Sequence, residues 1–496
     1  MRQGPLAGRY PASAAMVIFA LVPYLGLSAA LQPLTPIIGH QLHMSPQTMG
    51  LGLGLGNAGY AVGTVLAVQL AQLLPQRRMM VLYAAFLVVG SVLGAAAQDP
   101  EMFIAGHVLQ GLCTSLLLIA AVPPLAIGYG LPRIRATAMI MNVCIFGAVA
   151  LGPTVGGIQA SAHAWRPLFW IIAAISLGAL ALSILTFEDA PPADPAAPRS
   201  PLVLGLATTG CVAAFYGASE LLTHPFLDAQ TLAPLAAGLA LIVILVVNQY
   251  RAKRPLLTIR SMLTSTVPVA GIIVALAAAA ASVTATDLTA AVLAPHYTPL
   301  HLGLLFLPEV AGALLTAVVL GVVLKTRGLQ YLPLVGMGFL AAGIGVFRIQ
   351  VPPTQALTLI GSGLTGIGLG ASVAPALFVA GFSLPAASLQ RVFAIVELFR
   401  AAAAFMVAPV LAHLAATVGG SPRAGTGIVL WIGLGIAVGG AVVAVALYAL
   451  GGARPRTPDL RRFMDGEGPA WYSPPLLAAV RNRPRHRRLT EEPVRS

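Results

Sequence analysis

Gly147-Ala-Val-Ala-Leu-Gly152-Pro153-Thr-Val-Gly156-Gly157 lies inside a long apolar run. Gly152 and Gly156 are four residues apart, so a helix places them on one face, where a second helix can approach to backbone contact. Pro153 removes a backbone donor at the same level and favours a kink. Lipid tolerates such a break where neighbouring helices satisfy the freed backbone groups. The stretch predicts a kinked, small-faced transmembrane helix that joins two moving bodies. Gly147, Gly152, Pro153, Gly156 and Gly157 are its gating residues.

Composition points the same way. With 58% apolar and 9% charged residues, and a mean hydropathy of +0.88, the chain reads as a polytopic membrane protein. A formal net charge of +13 invites a nucleic-acid reading, but the basic residues fall in gaps between apolar runs and in the tail. No nucleic-acid partner is expected. Cys113, Cys144 and Cys211 lie in apolar runs without metal-type spacing and read as packing residues. Lys253 and Lys325 follow no glycine-rich phosphate loop, and no zinc-hydrolase or serine-elbow motif occurs. The expectation is a non-enzyme without cofactor or metal, driven by a gradient rather than by its own ATPase.

A span needs about 20 mainly apolar residues. On that measure fourteen helices are expected: 15–38, 50–74, 79–97, 102–127, 137–160, 168–187, 202–222, 232–250, 266–293, 302–324, 331–349, 355–380, 390–417 and 425–450. The first run follows Arg2 and Arg9 and is read as a retained helix rather than a signal peptide, because it is long and belongs to a series. The fold class expected is all-α polytopic: an N-terminal six-helix bundle (1–190), a linker with two additional helices (191–262), a C-terminal six-helix bundle (263–452) and a basic tail (453–496). With the N-terminus inside, Arg77, Arg78, Arg133, Arg135, Arg199, Arg251, Lys253, Arg254, Arg260, Lys325, Arg327 and Arg391 fall in inner loops. Only Arg166, Arg348 and Arg423 fall in outer ones. The positive-inside rule then places both termini in the cytoplasm and the chain in the inner (cytoplasmic) membrane, its lipid bilayer being an obligate partner. The Arg- and Pro-rich tail reads as solvated and mostly disordered. Contact of its basic residues with anionic lipid is the sharper alternative.

The fifth-helix residues Gly152-Pro153-Thr-Val-Gly156-Gly157 resemble the antiporter motif of the drug/proton antiporters in the major facilitator superfamily. Trp165-Arg166-Pro167-Leu168-Phe169 resembles the opening of that group's sixth helix. Arg254-Pro255-Leu256-Leu257 with Arg260, and Tyr297-Thr298-Pro299-Leu300-His301-Leu302-Gly303 leading to Leu307-Pro308, are similar to stretches of its fourteen-helix branch. The resemblance implies two facing six-helix bundles with an extra helix pair between them, and export of a small amphipathic or lipophilic solute by alternating access in exchange for protons. Three departures stand beside it. The basic turns Leu74-Pro75-Gln76-Arg77-Arg78 and Lys325-Thr326-Arg327-Gly328 both lack the Asp of the superfamily's loop motif. Gly106-His107-Val108-Leu109-Gln110-Gly111 carries His107 where the resemblance expects arginine. Setting the family's helix-one proline on Pro36 puts Leu27 at its acid and Gln32 at its Asn.

Ionisable groups inside a bilayer cost about 2.5–3.5 kcal/mol each on insertion scales, so each is a functional candidate. Asp287 lies well within the ninth span among Thr284, Thr286 and Thr289, whose hydroxyls could bond it. It is a proton or cation carrier, or a satisfied structural site. Glu397 and Arg400, three apart, pair on one face as a structural unit or as a gate. His107 adds a group that titrates near neutrality in water. Gln32, Gln110, Tyr24, Glu309 and Glu220 are expected at the substrate cavity, the two acids also being close enough to span ends to reach the interface. Four candidate acids against one arginine and one histidine lean towards cationic or neutral cargo. Two other readings remain: an uncoupled facilitator or exporter of one endogenous metabolite, and a non-transporting membrane protein that docks a partner through its tail.

Overall fold

The computed structural model describes residues 4–187, 192 and 199–481. Among these, fourteen helices are long and apolar enough to cross a membrane. The first six are α1 Tyr10–Gln41, α2 Pro46–Leu73, α3 Gln76–Ala96, α4 Pro100–Ile127, α5 Leu131–Ser161 and α6 Arg166–Thr186. Two follow, α7 Pro201–Glu220 and α8 Ala229–Arg251. The last six are α9 Thr266–His296, α10 Pro299–Val323, α11 Gly328–Ile349, α12 Gln355–Phe382, α13 Ala386–Thr417 and α14 Pro422–Gly451. An even number of spans brings both chain ends to one side of the bundle, here called the proximal end. Most of the expected linker, 188–191 and 193–198, lies outside the described residues.

Several helices begin earlier than their apolar runs, and local chemistry explains why. At the distal end Ser45, Asp99 and Ser421 accept from the backbone N–H groups of Thr48, Met102 and Ala424, with Pro46, Pro100 and Pro422 as the first helical residues. Thr298 does the same for His301 ahead of Pro299. A hydroxyl or carboxylate cap followed by proline satisfies orphan donors and supplies the right φ at once, each cap contributing about 0.5–2 kcal/mol. Two irregularities interrupt the spans. Residues Val143–Gly147 of α5 form a π-helical turn, and α10 breaks at Phe306, just ahead of Pro308.

The helices sort into two six-helix bundles with matching internal packing. In the first, α1 packs on α5 and α6, α2 on α4, and α3 on α4 and α6; in the second, α9 packs on α13 and α14, α10 on α12, and α11 on α12 and α14. The bundles meet along α2 with α13 and along α5 with α10, the equivalent helices of the two repeats. Helices α7 and α8 form a hairpin joined through glycines. A Cβ on Gly238 would lie 2.2 Å from the Ala214 nitrogen, and one on Gly217 would lie 2.5 Å from the Leu235 nitrogen. Helix α7 then rests on α2 and α13, beside the bundle interface. Leu239, Val243, Ile244 and Val247 of α8 stay exposed, as lipid-facing residues do.

The tail departs from its sequence reading. Residues 453–481 are not a solvated, disordered extension: they fold back along the proximal end and bury Leu460, Phe463, Ala470 and Trp471. Four of the tail arginines to which the anionic-lipid expectation applies, at 483, 485, 487 and 488, lie outside the described residues.

Close packing at the expected face of α5 has a direct check. A Cβ on Gly152 would meet Ala29 Cβ at 2.5 Å and the Gly26 carbonyl oxygen at 2.8 Å. Gly152→Val is therefore expected to destabilise the N-terminal bundle by about 1–3 kcal/mol through overpacking, lowering the melting temperature in detergent. Gly205→Ala in α7, with nothing within 4 Å, is expected to leave it unchanged. Equal melting temperatures for the two variants would contradict this close approach of α5 to α1.

Candidate functional site

Helix α5 presents two small faces to two partners. Gly152 and Gly156 lie against Gly26, Ala29, Ala30 and Pro33 of α1, inside the N-terminal bundle. One residue on, the face turns: a Cβ on Gly157 would lie 2.4 Å from the Pro299 carbonyl oxygen, and one on Gly303 would lie 2.6 Å from that of Pro153. Thr154 Oγ1 donates to the Gly303 carbonyl at 2.9 Å. The Gly-Pro stretch thus sits on α1 and on α10 of the opposite bundle simultaneously, near the distal end. Gly147 closes the π-helical turn, and in the proximal half of the same helix Asn142 Nδ2 donates to the Gly370 carbonyl of α12 at 3.2 Å.

At the seam of α2 with α13 the bundles share a buried ionic group. Arg400 Nε and Nη2 donate to Glu397 Oε2 at 2.9 and 2.7 Å, as the spacing in α13 predicts. Tyr60 of α2 completes the group from the other bundle, its hydroxyl donating to Glu397 Oε2 at 3.0 Å and accepting from Arg400 Nη2 at 3.3 Å. Glu397, Arg400 and Tyr60 are all buried. Mutual neutralisation and the shared Tyr60 hydroxyl are what make two buried charges tolerable.

An aromatic series continues from this group through the N-terminal bundle. The Tyr60 ring stacks on Tyr24 with centroids 6.0 Å apart, Tyr24 lies 5.3 Å from His107, and His107 stacks on Phe103 at 6.2 Å. Tyr24 also donates to Asn57 Oδ1 at 3.2 Å. Gly56 and Gly111 make room: a Cβ on Gly56 would meet the His107 ring at 2.4 Å, and one on Gly111 would meet the Tyr24 hydroxyl at 3.0 Å.

The remaining candidates separate. Asp287 of α9 is accessible to solvent yet enclosed by protein, and among the described residues it has no ion-pair or hydrogen-bond partner. The hydroxyl bonds expected from its neighbours are not made: Thr284 Oγ1 donates to the Ala280 carbonyl of its own helix at 2.6 Å, and Thr289 Oγ1 has no partner among the described residues. Glu309, buried in α10 after the break, lies close enough for the Asp287 charge to act on it. Gln32 is exposed, about 220° around α1 from the exposed Phe19 and hence on another face. Gln110 is wholly buried and donates to Ser91 Oγ at 3.1 Å, which is bonded to Ser176, so it ties α4 to α3 and α6. Glu220 accepts from Gln47 Nε2 of α2 and pairs with His224 Nδ1, each at 3.0 Å, at the distal end of α7. The structure thus gathers Glu397, Arg400, Tyr24 and His107 in one series and Asp287 with Glu309 in a second group. Gln110 and Glu220 stand apart as helix ties.

Arg166 of the Trp-Arg stretch has a structural place. It donates to Gln41 Oε1 and to the Ala97 carbonyl, both at 2.9 Å, and lies over the Trp165 ring, fixing the distal ends of α1, α3 and α6 together.

Two helical bundles of matching internal packing that meet on a glycine-rich helix, with an ionic group held between them, are the architecture of membrane transporters. The family model described as Major Facilitator Superfamily matches residues 16–294, and the chain belongs to that superfamily. Among curated relatives, the MFS-type transporter YubD of Bacillus subtilis (strain 168) is 24% identical over 269 residues, 52% of this chain and 51% of its own length. The multidrug resistance protein MdtL of Escherichia coli O139:H28 is 26% identical over 168 residues, 34% of this chain and 42% of its own. The chain thus spans about half or less of the length of these relatives. Two solved structures share the fold. The human organic anion transporter MFSD10 (TETRAN) has a TM-score of 0.60 at 13% identity, covering 88% of this chain and 99% of that one. A POT family transporter in complex with a thioalcohol-conjugated peptide has a TM-score of 0.63 at 14% identity, covering 90% and 98%.

The ionic group predicts an unequal set of variants. Glu397→Gln leaves the Arg400 charge buried without its counter-ion, which costs about 3–5 kcal/mol, so low abundance in the membrane is expected. Combining Glu397→Gln with Arg400→Gln removes both charges and is expected to restore abundance. Tyr60→Phe keeps the ion pair but loses the bonds across the interface, an expected cost of about 1–3 kcal/mol. Quantitative immunoblots and melting curves of the four proteins check this; a double variant no more abundant than Glu397→Gln would contradict the assignment.

Proposed function

We propose that the protein exports a small amphipathic or lipophilic solute across the cytoplasmic membrane by alternating access, in exchange for protons, with both termini inside. Asp287 carries this reading. It is an accessible carboxyl enclosed by protein with no cation to neutralise it among the described residues, and within electrostatic reach of a second carboxyl, Glu309. Such a group is suited to taking up a proton when the cavity faces one side and releasing it, or trading it for a cationic solute, when the cavity faces the other. Rocking of the bundles about α5 and α10 supplies the exchange of access, and the Glu397–Arg400–Tyr60 group is a polar contact that separates and re-forms at the second seam. Similarity of one segment to a relative named as a multidrug resistance protein supports drug-like cargo.

One observation favours a second reading. In α1 to α6 no acidic residue occurs away from the helix ends, so the N-terminal bundle offers no carboxyl carrier of its own. An uncoupled facilitator, or an exporter of a single endogenous metabolite, accommodates that directly.

Proteoliposomes loaded with a pH-sensitive dye separate the two. On addition of members of a panel of lipophilic cations, the wild type is expected to give a substrate-triggered pH signal that falls to background in Asp287→Asn. Flux of the same cations without a pH change, equal in both proteins, would establish the facilitator instead.

A further inference from the structure

Helix α9 begins without a side-chain cap, since Ser265 makes no capping bond. Its first donors go instead to the folded-back tail: Thr266 N–H to the Pro474 carbonyl at 2.9 Å and Val267 N–H to Ser473 Oγ at 3.0 Å. Thr266 Oγ1 adds a bond to the Pro475 carbonyl at 3.1 Å, and Leu476 N–H donates to the Thr264 carbonyl at 2.9 Å. The same tail serves the end of α12, where the Phe382 carbonyl accepts from Ala470 N–H at 2.8 Å. The Phe382 ring meets Phe463 and Trp471 edge-on, at 5.0 and 6.1 Å. A helix end must place its orphan backbone groups somewhere; here the tail receives them, which makes it a fixed part of the C-terminal bundle.

From that anchor a short helix, Leu460–Met464, capped by Asp459 Oδ1 on Arg462 N–H at 3.1 Å, reaches across to the other bundle. It packs on α5. Arg461, Met464 and Asp465 face Ile127, Gly130 and Leu131 of the α4–α5 turn across a cleft of about 310 Å³. The tail therefore spans the proximal seam with very unequal attachments: backbone bonds and three interlocked rings on the C-terminal side, and a short packed face on the N-terminal side.

We propose that residues 454–481 form a lid, fixed to the C-terminal bundle, that closes the proximal mouth between the bundles. The helix Leu460–Met464 parts from the α4–α5 turn whenever that mouth opens. The weaker attachment is the one that yields when the bundles rock, so the lid travels with α9 and α12. This goes beyond the transport reading above, since it requires bundle movement but neither a particular solute nor protons.

The test needs no cargo. A reporter cysteine replaces Met139, eight residues into α5 from the turn that the lid covers and against Gly321 of α10 at the seam; a second protein carries Leu300→Cys at the distal seam, and the three native cysteines are buried. In vesicles of each orientation, alkylation by a membrane-impermeant maleimide is timed in three backgrounds: the intact chain, Phe463→Ala/Trp471→Ala, and a truncation after Arg454. The lid predicts that the Met139→Cys rate from the proximal side rises by about tenfold in both altered backgrounds, while the Leu300→Cys rate from the distal side does not rise. If the truncation fails to insert, the point variant decides. Unchanged proximal rates would overturn the lid. A rise at both mouths alike would overturn it as well, since it would mean that the tail merely stabilises the whole protein. None of these outcomes depends on whether the pH signal of the transport assay is found.

Discussion

Apolar helices gain little in hydrocarbon by hiding apolar side chains from one another, so close backbone approach must hold this protein together. Glycine supplies it at many of the helix pairs, among them α5 on α1 and α10, α12 on α10 and α11, and α7 on α8. Helix α5 is the fullest case because it meets two partners, α1 within its own bundle and α10 across the seam, through faces that begin one residue apart at Gly156 and Gly157. Pro153 and the π-helical turn at Val143–Gly147 give that helix the irregular course such a double contact demands. Once α5 is seated in this way, the repeat symmetry places α2 against α13 at the other seam.

The polar groups discussed above are of two kinds. Those with partners, the Glu397–Arg400–Tyr60 group and the Thr154–Gly303 and Asn142–Gly370 bonds, connect one bundle to the other. Asp287 has no partner among the described residues and is open to solvent. A paired group in low dielectric resists separation, whereas a lone accessible carboxyl can change its proton or ligand without disturbing the packing. In the mechanism proposed above, the first kind sets the two conformations and the second responds to the solute or proton.

Much of the fold was legible in the sequence because lipid imposes a length on every span. The fourteen apolar runs, the α1-facing glycines of α5 and the Glu397–Arg400 pair are all local patterns, readable from spacings of three or four residues. Helix starts were read late because the caps at Ser45, Asp99, Thr298 and Ser421 precede the apolar residues that mark a span. What stayed hidden was long-range. Nothing near Tyr60 announces a partner 337 residues away. The hydroxyls around Asp287 suggested a bonded carboxyl, but Thr284 satisfies its own helix first. An Arg- and Pro-rich tail has the composition of a solvated segment, and what orders it is the unfilled backbone valence of α9 and α12, which composition does not register.

The alternating access proposed above would require the closed forms of the two mouths to lie within a few kcal/mol of each other, so that neither conformation traps the protein. The polar bonds between bundles among the described residues are few in this conformation: Thr154–Gly303 and Asn142–Gly370 from α5, and the Tyr60 bonds at the seam of α2 with α13. At about 0.5–1.5 kcal/mol for a neutral bond, somewhat more for those to charged groups, no single level locks the seam. Each bundle, by contrast, is held by glycine-close helix packing along most of its length, such as α5 on α1 and α10 on α12, where Gly366 lies against the Glu309 backbone. Deforming a bundle would break that packing, whereas rotating one bundle against the other breaks only the sparse seam. The motion this architecture permits at least cost is therefore a rigid-body rocking, with α5 and α10 at one seam and α2 and α13 at the other.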